Sequence, residues 1–225
     1  MEIIPAIMPK GFADIGEKVE KVYSFVDSVQ LDLMDGEFVE AKSWPFFDKD
    51  KQSVRELMEG EIRLPFADKI KYEFDLMVRT PETDLKKYIK LGANRLIIHV
   101  NSINSKELFL EEISSLDIEW GLAFLTTDNL ENWREVIMKA NFVQLMGIEN
   151  IGYQGQPFDP RVLDQAKHVR EMRPDAIISI DGGVNLETAR ELALAGANRL
   201  VSGSTVFGAN APEIAIEDLK RISNG

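Results

Sequence analysis

The chain has 225 residues and a formal net charge of -12, with 44% hydrophobic and 28% charged residues. The acidic balance argues against binding to nucleic acid or to an anionic membrane surface, and the lack of cysteine excludes disulfides and thiolate metal sites. No stretch approaches the roughly 20 apolar residues that span a bilayer, so we expect a cytoplasmic protein made of one large α/β domain or two small ones.

Short apolar runs alternate with longer amphipathic stretches along the chain, and the short runs predict eight strands. In chain order these lie near Ile3–Met8, Ser28–Leu33, Ile70–Met77, Arg95–Val100, Ile118–Phe124, Phe142–Met146, Ala176–Ile180 and Arg199–Ser202. Helices are predicted between them, for example over Asp14–Phe25, Asp84–Leu91, Ser105–Ser115, Leu130–Lys139, Pro160–Met172 and Leu186–Ala195. Strand alternating with helix predicts a single (β/α)8 TIM barrel. An open doubly wound sheet is the structural alternative.

A five-residue segment occurs twice, as Gly92–Leu96 and as Gly196–Leu200. Each copy precedes a predicted strand, the fourth and the eighth, which are half a barrel apart. Glycine followed by alanine is typical of a helix C-terminus that turns into a strand. The repeat therefore favours two related half-barrels, although any such turn favours these residues and the recurrence can also arise by chance.

No change in composition and no linker divides the chain, so we expect one domain over residues 1–225. The least regular stretch is 37–67, which we interpret as an enlarged β2–α2 loop at the barrel mouth with a helix-like piece at Lys51–Met58. Its aromatic residues predict either a reshaped specificity pocket or an interface of the homo-oligomer that we expect: Trp44, Phe46 and Phe47.

Aspartates stand near the C-terminal ends of three predicted strands, at Asp32, Asp75 and Asp181, and Gln30 shares the face of Asp32. A buried carboxylate is costly unless it is paired or bound to a metal, and this end of a barrel strand is where catalytic residues lie. Three adjacent carboxylates would repel one another unless a cation sat among them. With oxygen ligands alone, Mg²⁺ or Mn²⁺ is favoured. The alternative is that one or two of them pair with Lys or Arg or cap a helix.

Glycine-containing turns follow predicted strands seven and eight. Their residues are Gly182 and Gly183, and Gly203 with Ser204. Exposed backbone N–H groups at helix starts bind phosphate, and barrels commonly place a phosphate site in these two loops. The loop Asn150–Gln156, with Gly155, is a candidate lid that could add a donor, or else a flexible surface turn.

Other side chains near the predicted strand ends could shape a pocket. Three methionines could form an apolar lining that excludes water, or simply fill the core: Met34, Met77 and Met146. His99 ends the fourth predicted strand and could face a substrate, or could be a satisfied core histidine.

These motifs, in this order, resemble the ribulose-phosphate 3-epimerase family of the ribulose-phosphate-binding barrels. The segments that carry the resemblance are Ile4–Ile7, Leu31–Gly36 with Phe38 and Val39, Asp75–Val78, Gly155 and Gln156 with Phe158, Asp181–Gly183 and Val201–Ser204.

The resemblance implies that Asp32 and Asp181 are paired acid and base on opposite faces of a substrate and help to hold a divalent metal. The two metal-binding histidines of the family are replaced here by Gln30 and Asp75, which leaves an oxygen-only set of ligands, and a serine of the first strand is replaced by Ala6. The candidate lid also departs from the family pattern, because Ile151 and Gln154 stand where proline and glycine are expected and the spacing from Met146 is one residue longer.

The expected activity is epimerisation of a phosphorylated ketopentose, D-ribulose 5-phosphate to D-xylulose 5-phosphate, in the pentose phosphate pathway. A decarboxylase or aldol-type synthase of the same superfamily is one alternative, but the run Asp32–Asp35 lacks the lysine of their Asp-x-Lys-x-x-Asp motif. A non-catalytic phosphosugar-binding protein that keeps only the glycine loops is the other.

Overall fold

The computed structural model describes residues 1–225, and its eight strands form a closed barrel in chain order. Neighbouring strands pair in parallel, and the last pairs with the first. The strands are β1 Glu2–Ile7, β2 Ser28–Met34, β3 Lys71–Met77, β4 Arg95–His99, β5 Glu119–Phe124, β6 Phe142–Met146, β7 Ile177–Asp181 and β8 Arg199–Ser202. The predicted (β/α)8 barrel is confirmed, and the open doubly wound sheet is wrong.

Helices follow the strands as the alternation predicts. They are α1 Phe12–Val19, α2 Lys51–Glu59, α3 Leu85–Lys90, α4 Lys106–Ser114, α5 Arg134–Ile137, α6 Arg161–Met172, α7 Ala189–Leu194, α8 Ser204–Phe207 and α9 Pro212–Asn224. No helix is both long enough and apolar enough to cross a membrane. The last two helices lie beyond the predicted elements.

Three predicted helices differ from the structure in extent or type. The first helix was predicted to end at Phe25 but ends at Val19. Residues 20–25 form turns instead, one of which is closed by a hydrogen bond from the Phe25 N–H to the Val22 carbonyl. The helix predicted over Leu130–Lys139 begins as a 3₁₀ turn, Leu130–Trp133, before α5. The seventh starts at Ala189, after a turn that the Asn185 side chain organises by accepting two backbone N–H groups.

The chain forms two compact units, of which one comprises Ala6–Trp120 and the other Met1–Pro5 with Gly121–Gly225. In the first, α2 lies within segment 37–67, which confirms the helix-like piece predicted at Lys51–Met58. Trp44 is fully buried against the rings of Phe12 and Phe74. Its predicted part in an oligomer interface is therefore wrong, since its side chain already belongs to the core.

Buried arginines lie at the start of one strand in each unit. In the first unit Arg95 bonds to Glu73 at 3.1 Å and to Glu119 at 2.9 Å. In the second, Arg199 bonds to Glu2 at 3.1 Å. A buried charge is tolerated only where it is paired and hydrogen-bonded, so these pairs fix the ends of the strands away from the aspartates.

The repeated segment has the same conformation in both units. Gly92 and Gly196 each have φ of +110°, which disfavours any side chain with a Cβ. In the first copy, Asn94 donates its N–H to the Tyr72 carbonyl and accepts the Tyr72 N–H through Oδ1, both at 2.8 Å. In the second, Asn198 forms the same two bonds with Ile178, at 2.8 and 2.9 Å.

These bonds relate β3 and β7 residue by residue. Tyr72 of β3 corresponds to Ile178 of β7, and three residues later Asp75 corresponds to Asp181. This shared hydrogen bonding supports the half-barrel interpretation of the repeat, since identical residues need not form hydrogen bonds to equivalent positions of the barrel.

Replacing Asn94 or Asn198 by alanine should destabilise the fold by about 1–3 kcal/mol each, because a backbone N–H loses its acceptor. The Asn198→Ala loss should be the larger, since Arg170 also donates to that oxygen, at 3.0 Å. Urea unfolding midpoints measure both. Asn224→Ala is the control, because its oxygen accepts only the exposed N-terminal amine, and a loss as large as in the other two would contradict the assignment.

Candidate active site

Asp32 and Asp75 lie side by side because β2 and β3 pair in register over seven residues. Their Cα atoms are direct partners, and two residues further Met34 is paired with Met77. Both carboxylates are almost wholly buried, with 4% and 0% of the residue exposed. Burial of that extent requires partners for the charges.

Polar side chains of the same unit contact both carboxylates. Gln30 donates from Nε2 to Asp32 Oδ1 at 2.8 Å. The His99 Nε2 lies 2.9 Å from Asp75 Oδ1, and its ring packs against Phe38 with centroids 5.7 Å apart. His99 is therefore held by a carboxylate in the interior, and its contact with a substrate stays a prediction.

Ser43 fixes the end of β2. Its hydroxyl donates to the Asp32 carbonyl at 2.7 Å and accepts the Met34 N–H at 2.9 Å. Met34 and Met77 are each 2% exposed at the ends of their strands. They form an apolar pair two residues beyond the two aspartates. This position is consistent both with a pocket lining and with simple filling of the core.

Asp35 organises the loop that follows. Its carboxylate accepts the backbone N–H groups of Glu37, Phe38 and Arg79, at 2.8, 2.9 and 2.8 Å. Sequence reasoning gave this residue no role, although an aspartate followed by glycine is a common signal for such a turn.

In the second unit, β7 ends at Asp181, whose partner in β6 is Met146. Gln144, two residues earlier in β6, donates from Nε2 to Asp181 Oδ2 at 3.3 Å. Asp181 is half-buried, whereas Gln144 and Met146 are buried. Sequence reasoning missed Gln144, because a glutamine inside a strand carries no signal until the neighbouring strand is placed.

Glycines pack closely where β6 and β7 end. The Gly147 N–H donates to the Asp181 carbonyl at 2.6 Å, and a Cβ on Gly147 would lie 2.2 Å from the Gly182 carbonyl oxygen. Gly183 has φ of +68°, and a Cβ there would lie 2.8 Å from the ring of Phe158. Only glycine fits at these two positions without displacing a neighbouring group.

The turns after β7 and β8 are joined through one carbonyl. Val184 accepts hydrogen bonds from Ser202 at 3.1 Å and from Thr205 at 2.8 Å. Gly203 immediately precedes α8, which begins at Ser204. The structure thus brings together the two glycine turns that the sequence singled out.

A model of the ribulose-phosphate 3 epimerase family matches residues 2–207. The chain belongs to this family. The resemblance inferred from the motifs is thereby confirmed.

Relatives match along nearly the whole chain. The ribulose-phosphate 3-epimerase of Bacillus subtilis is 28% identical over 226 residues, covering 98% of both proteins. That of Aquifex aeolicus is 27% identical, covering 98% of this chain and 96% of the relative. The chloroplastic ribulose-5-phosphate-3-epimerase of Arabidopsis thaliana is 29% identical, with 97% and 75% covered.

Solved structures with the same architecture are more distant in sequence. A 3-hexulose-6-phosphate synthase superimposes with a TM-score of 0.70 at 18% identity, covering 99% of both chains. An orotidine 5'-phosphate decarboxylase from Pyrococcus horikoshii gives 0.65 at 14% identity, covering 100% of both. At such identities these likenesses establish the fold alone.

The candidate lid of this epimerase-family chain lies between β6 and α6. Gly155 is exposed, has φ of +71°, and has no atom within 4 Å of an added Cβ. The chain is then fixed by Asp159, whose pKa is lowered to about 2, chiefly by hydrogen bonds from Arg161 and further by one from Thr126. The loop therefore has an open tip and a firmly bonded base.

Three side chains of the chain could hold a metal ion. One carboxylate oxygen from each of Asp32, Asp75 and Asp181 lies within 4.8 Å of the others. Hard oxygen ligands of this kind suit Mg²⁺ or Mn²⁺ rather than soft transition metals. The residues therefore fit a divalent cation, and its identity stays a prediction.

Replacing Gly183 by alanine should impair both folding and sugar-phosphate binding, because a Cβ at positive φ costs about 1–2 kcal/mol and here also meets Phe158. Gly60→Ala is the matched control, with a φ of +75° and no atom within 4 Å of an added Cβ. Urea unfolding and the KM for a sugar phosphate measure the two effects. Equal losses in the two variants would show that Phe158 imposes no additional constraint.

Proposed function

We propose that this protein interconverts D-ribulose 5-phosphate and D-xylulose 5-phosphate by epimerisation at C3, as the names of its relatives indicate. The observation that carries the proposal is the family match along residues 2–207. The placement of Asp32, Asp75 and Asp181 at the C-terminal ends of barrel strands supports it.

Asp32 and Asp181 are the proposed acid and base. One removes the C3 proton, which is acidic because it lies next to the carbonyl, and the other returns a proton to the opposite face. Each must lie within hydrogen-bond reach of that carbon. The hydrogen bonds from Gln30 to Asp32 and from Gln144 to Asp181 support this assignment, because they hold each carboxylate in one orientation.

A divalent cation, probed as Mg²⁺ and Mn²⁺, would be held by Asp32, Asp75 and Asp181, with the side-chain oxygen of Gln30 as a fourth ligand. When bound, such an ion stabilises the negative charge of a cis-enediolate. His99 supports Asp75 in this role, since its ring nitrogen already holds one carboxylate oxygen.

The substrate phosphate is proposed to bind at the turns after β7 and β8. Its donors would be the backbone N–H groups of Gly182, Gly183, Gly203 and Ser204, with Gly155 added from the lid. The position of both turns after the last two strands of the barrel supports this placement. Met34, Met77 and Met146 are proposed to line the sugar end of the pocket and to keep water away from the intermediate.

The setting of the reaction is also a proposal. We expect a homo-oligomer in the cytoplasm, acting on a free sugar phosphate and binding neither nucleic acid nor membrane. The net charge of -12 supports the absence of an anionic polymer partner. With such a charge, the phosphate must be held by local donors.

Asp32→Asn and Asp181→Asn should each lower the rate of epimerisation by about 10²–10⁴-fold, the usual contribution of general acid–base catalysis. Each variant keeps one of the two aspartates, and that aspartate can deprotonate only one of the two epimers. In D₂O, each variant should therefore exchange the C3 hydrogen of that epimer and not of the other. NMR follows both rates. Asp48→Asn is the control, since its side chain is 95% exposed; wild-type rates in either active-site variant would refute the roles.

Chelation should lower epimerisation, and Mg²⁺ or Mn²⁺ should restore it, because a divalent cation would stabilise the negative charge of the proposed intermediate. Asp75→Asn should weaken binding of the ion without removing a proton-transfer group. Metal content by mass spectrometry and the activity after adding back each ion measure this. Full activity of the stripped protein would exclude a metal requirement.

A further inference from the structure

We infer that Gln144 is a positioning residue that orients Asp181 for proton transfer. The inference rests on the proposed function and adds a residue that the family resemblance did not assign. Gln144 lies within β6 and is fully buried, so its amide cannot rely on bulk water. A buried amide is retained where it has a specific hydrogen-bonding task.

The local geometry fixes Asp181 at two points. Its backbone carbonyl accepts the Gly147 N–H at 2.6 Å. Its side-chain Oδ2 accepts the Gln144 Nε2–H at 3.3 Å. The first bond holds the strand end, and the second limits rotation of the carboxylate. Proton transfer depends on such orientation, because a misplaced base loses rate steeply.

The other half of the barrel has a glutamine in the equivalent position. Gln30 is two residues before the partner of Asp75, as Gln144 is two residues before the partner of Asp181. Gln30 donates along its own strand to Asp32. Met146 stands where Asp32 stands, so the Gln144 amide donates instead to the neighbouring strand. Each glutamine therefore holds the proposed proton-transfer aspartate of its own half.

A glutamine suits this position because its amide is neutral. It supplies a directional donor to the carboxylate without adding a full positive charge, which would hold the carboxylate much more strongly in its ionised form. Asp181 must alternate between accepting and returning a proton, so a neutral donor orients it while leaving both states accessible.

Isotope exchange separates this role from a structural one. If two aspartates serve opposite faces, impairing Asp181 slows interconversion in both directions. It slows C3 exchange for only one epimer, because the other is still deprotonated by Asp32. General damage to the pocket would slow exchange of both epimers alike. Asp181→Asn and Asp32→Asn provide the two reference patterns.

Gln144→Met has similar length and volume but no donor. Interconversion should fall about tenfold, the size of one hydrogen bond to a charged group, with KM nearly unchanged. Exchange in D₂O should fall for the same epimer as in Asp181→Asn and persist for the other. If Gln144→Met fails to fold, Gln144→Asn is the second variant, because its amide donor is one methylene further from Asp181. It should likewise slow C3 exchange for one epimer and not for the other.

Gln165→Met is the matched control, because the Gln165 amide donates to backbone carbonyls, those of Leu125 at 2.8 Å and Asp128 at 3.4 Å, and the residue has no proposed part in proton transfer. It should keep both exchange rates equal to those of the wild type. A parallel fall for both epimers in the Gln144 variants, or no change, would overturn the inference. Absence of exchange in the wild-type protein would instead refute the proposed function and, with it, this role.

Discussion

The pairing of β2 with β3 in register is the constraint on which the site depends. It places Asp32 directly beside Asp75 and leaves both nearly inaccessible to water. A shift by one residue would turn one of these carboxylates to the other face of the sheet. Bonds outside the strands also hold this arrangement, since Ser43 fixes the backbone at Asp32 and Asn94 fixes the start of β3.

Burying carboxylates in this way requires compensation, and within each unit polar side chains supply hydrogen-bonding partners. Gln30, His99 and Gln144 each contact one of the three aspartates. The arginines Arg95 and Arg199 pair with glutamates at the opposite ends of the strands. The two arginines therefore stabilise one end of the barrel strands, and the three aspartates lie at the other end, where negative charge attracts a cation.

The two halves of the barrel share a framework but differ in the chemistry they present. The segments that begin at Gly92 and Gly196 have the same backbone conformation and the same hydrogen bonds. On that framework, one half has Asp32 where the other has Met146. The differences also extend to the turns, because closely packed glycines follow β6 and β7 in the second unit. One half therefore supplies two aspartates, and the other supplies one aspartate and closely packed glycine turns.

The sequence by itself determined the barrel, the order of its strands, the three aspartates and the two glycine turns, because hydrophobic periodicity and turn residues are local signals. Local signals also predicted the helix-like piece at Lys51–Met58, but they placed the end of the first helix at Phe25 instead of Val19. The burial of Trp44 and the bonds that Gln144, His99 and Ser43 make were decided only by the tertiary structure. Those contacts join residues of different strands and loops, so no local pattern encodes them until the strands are set side by side.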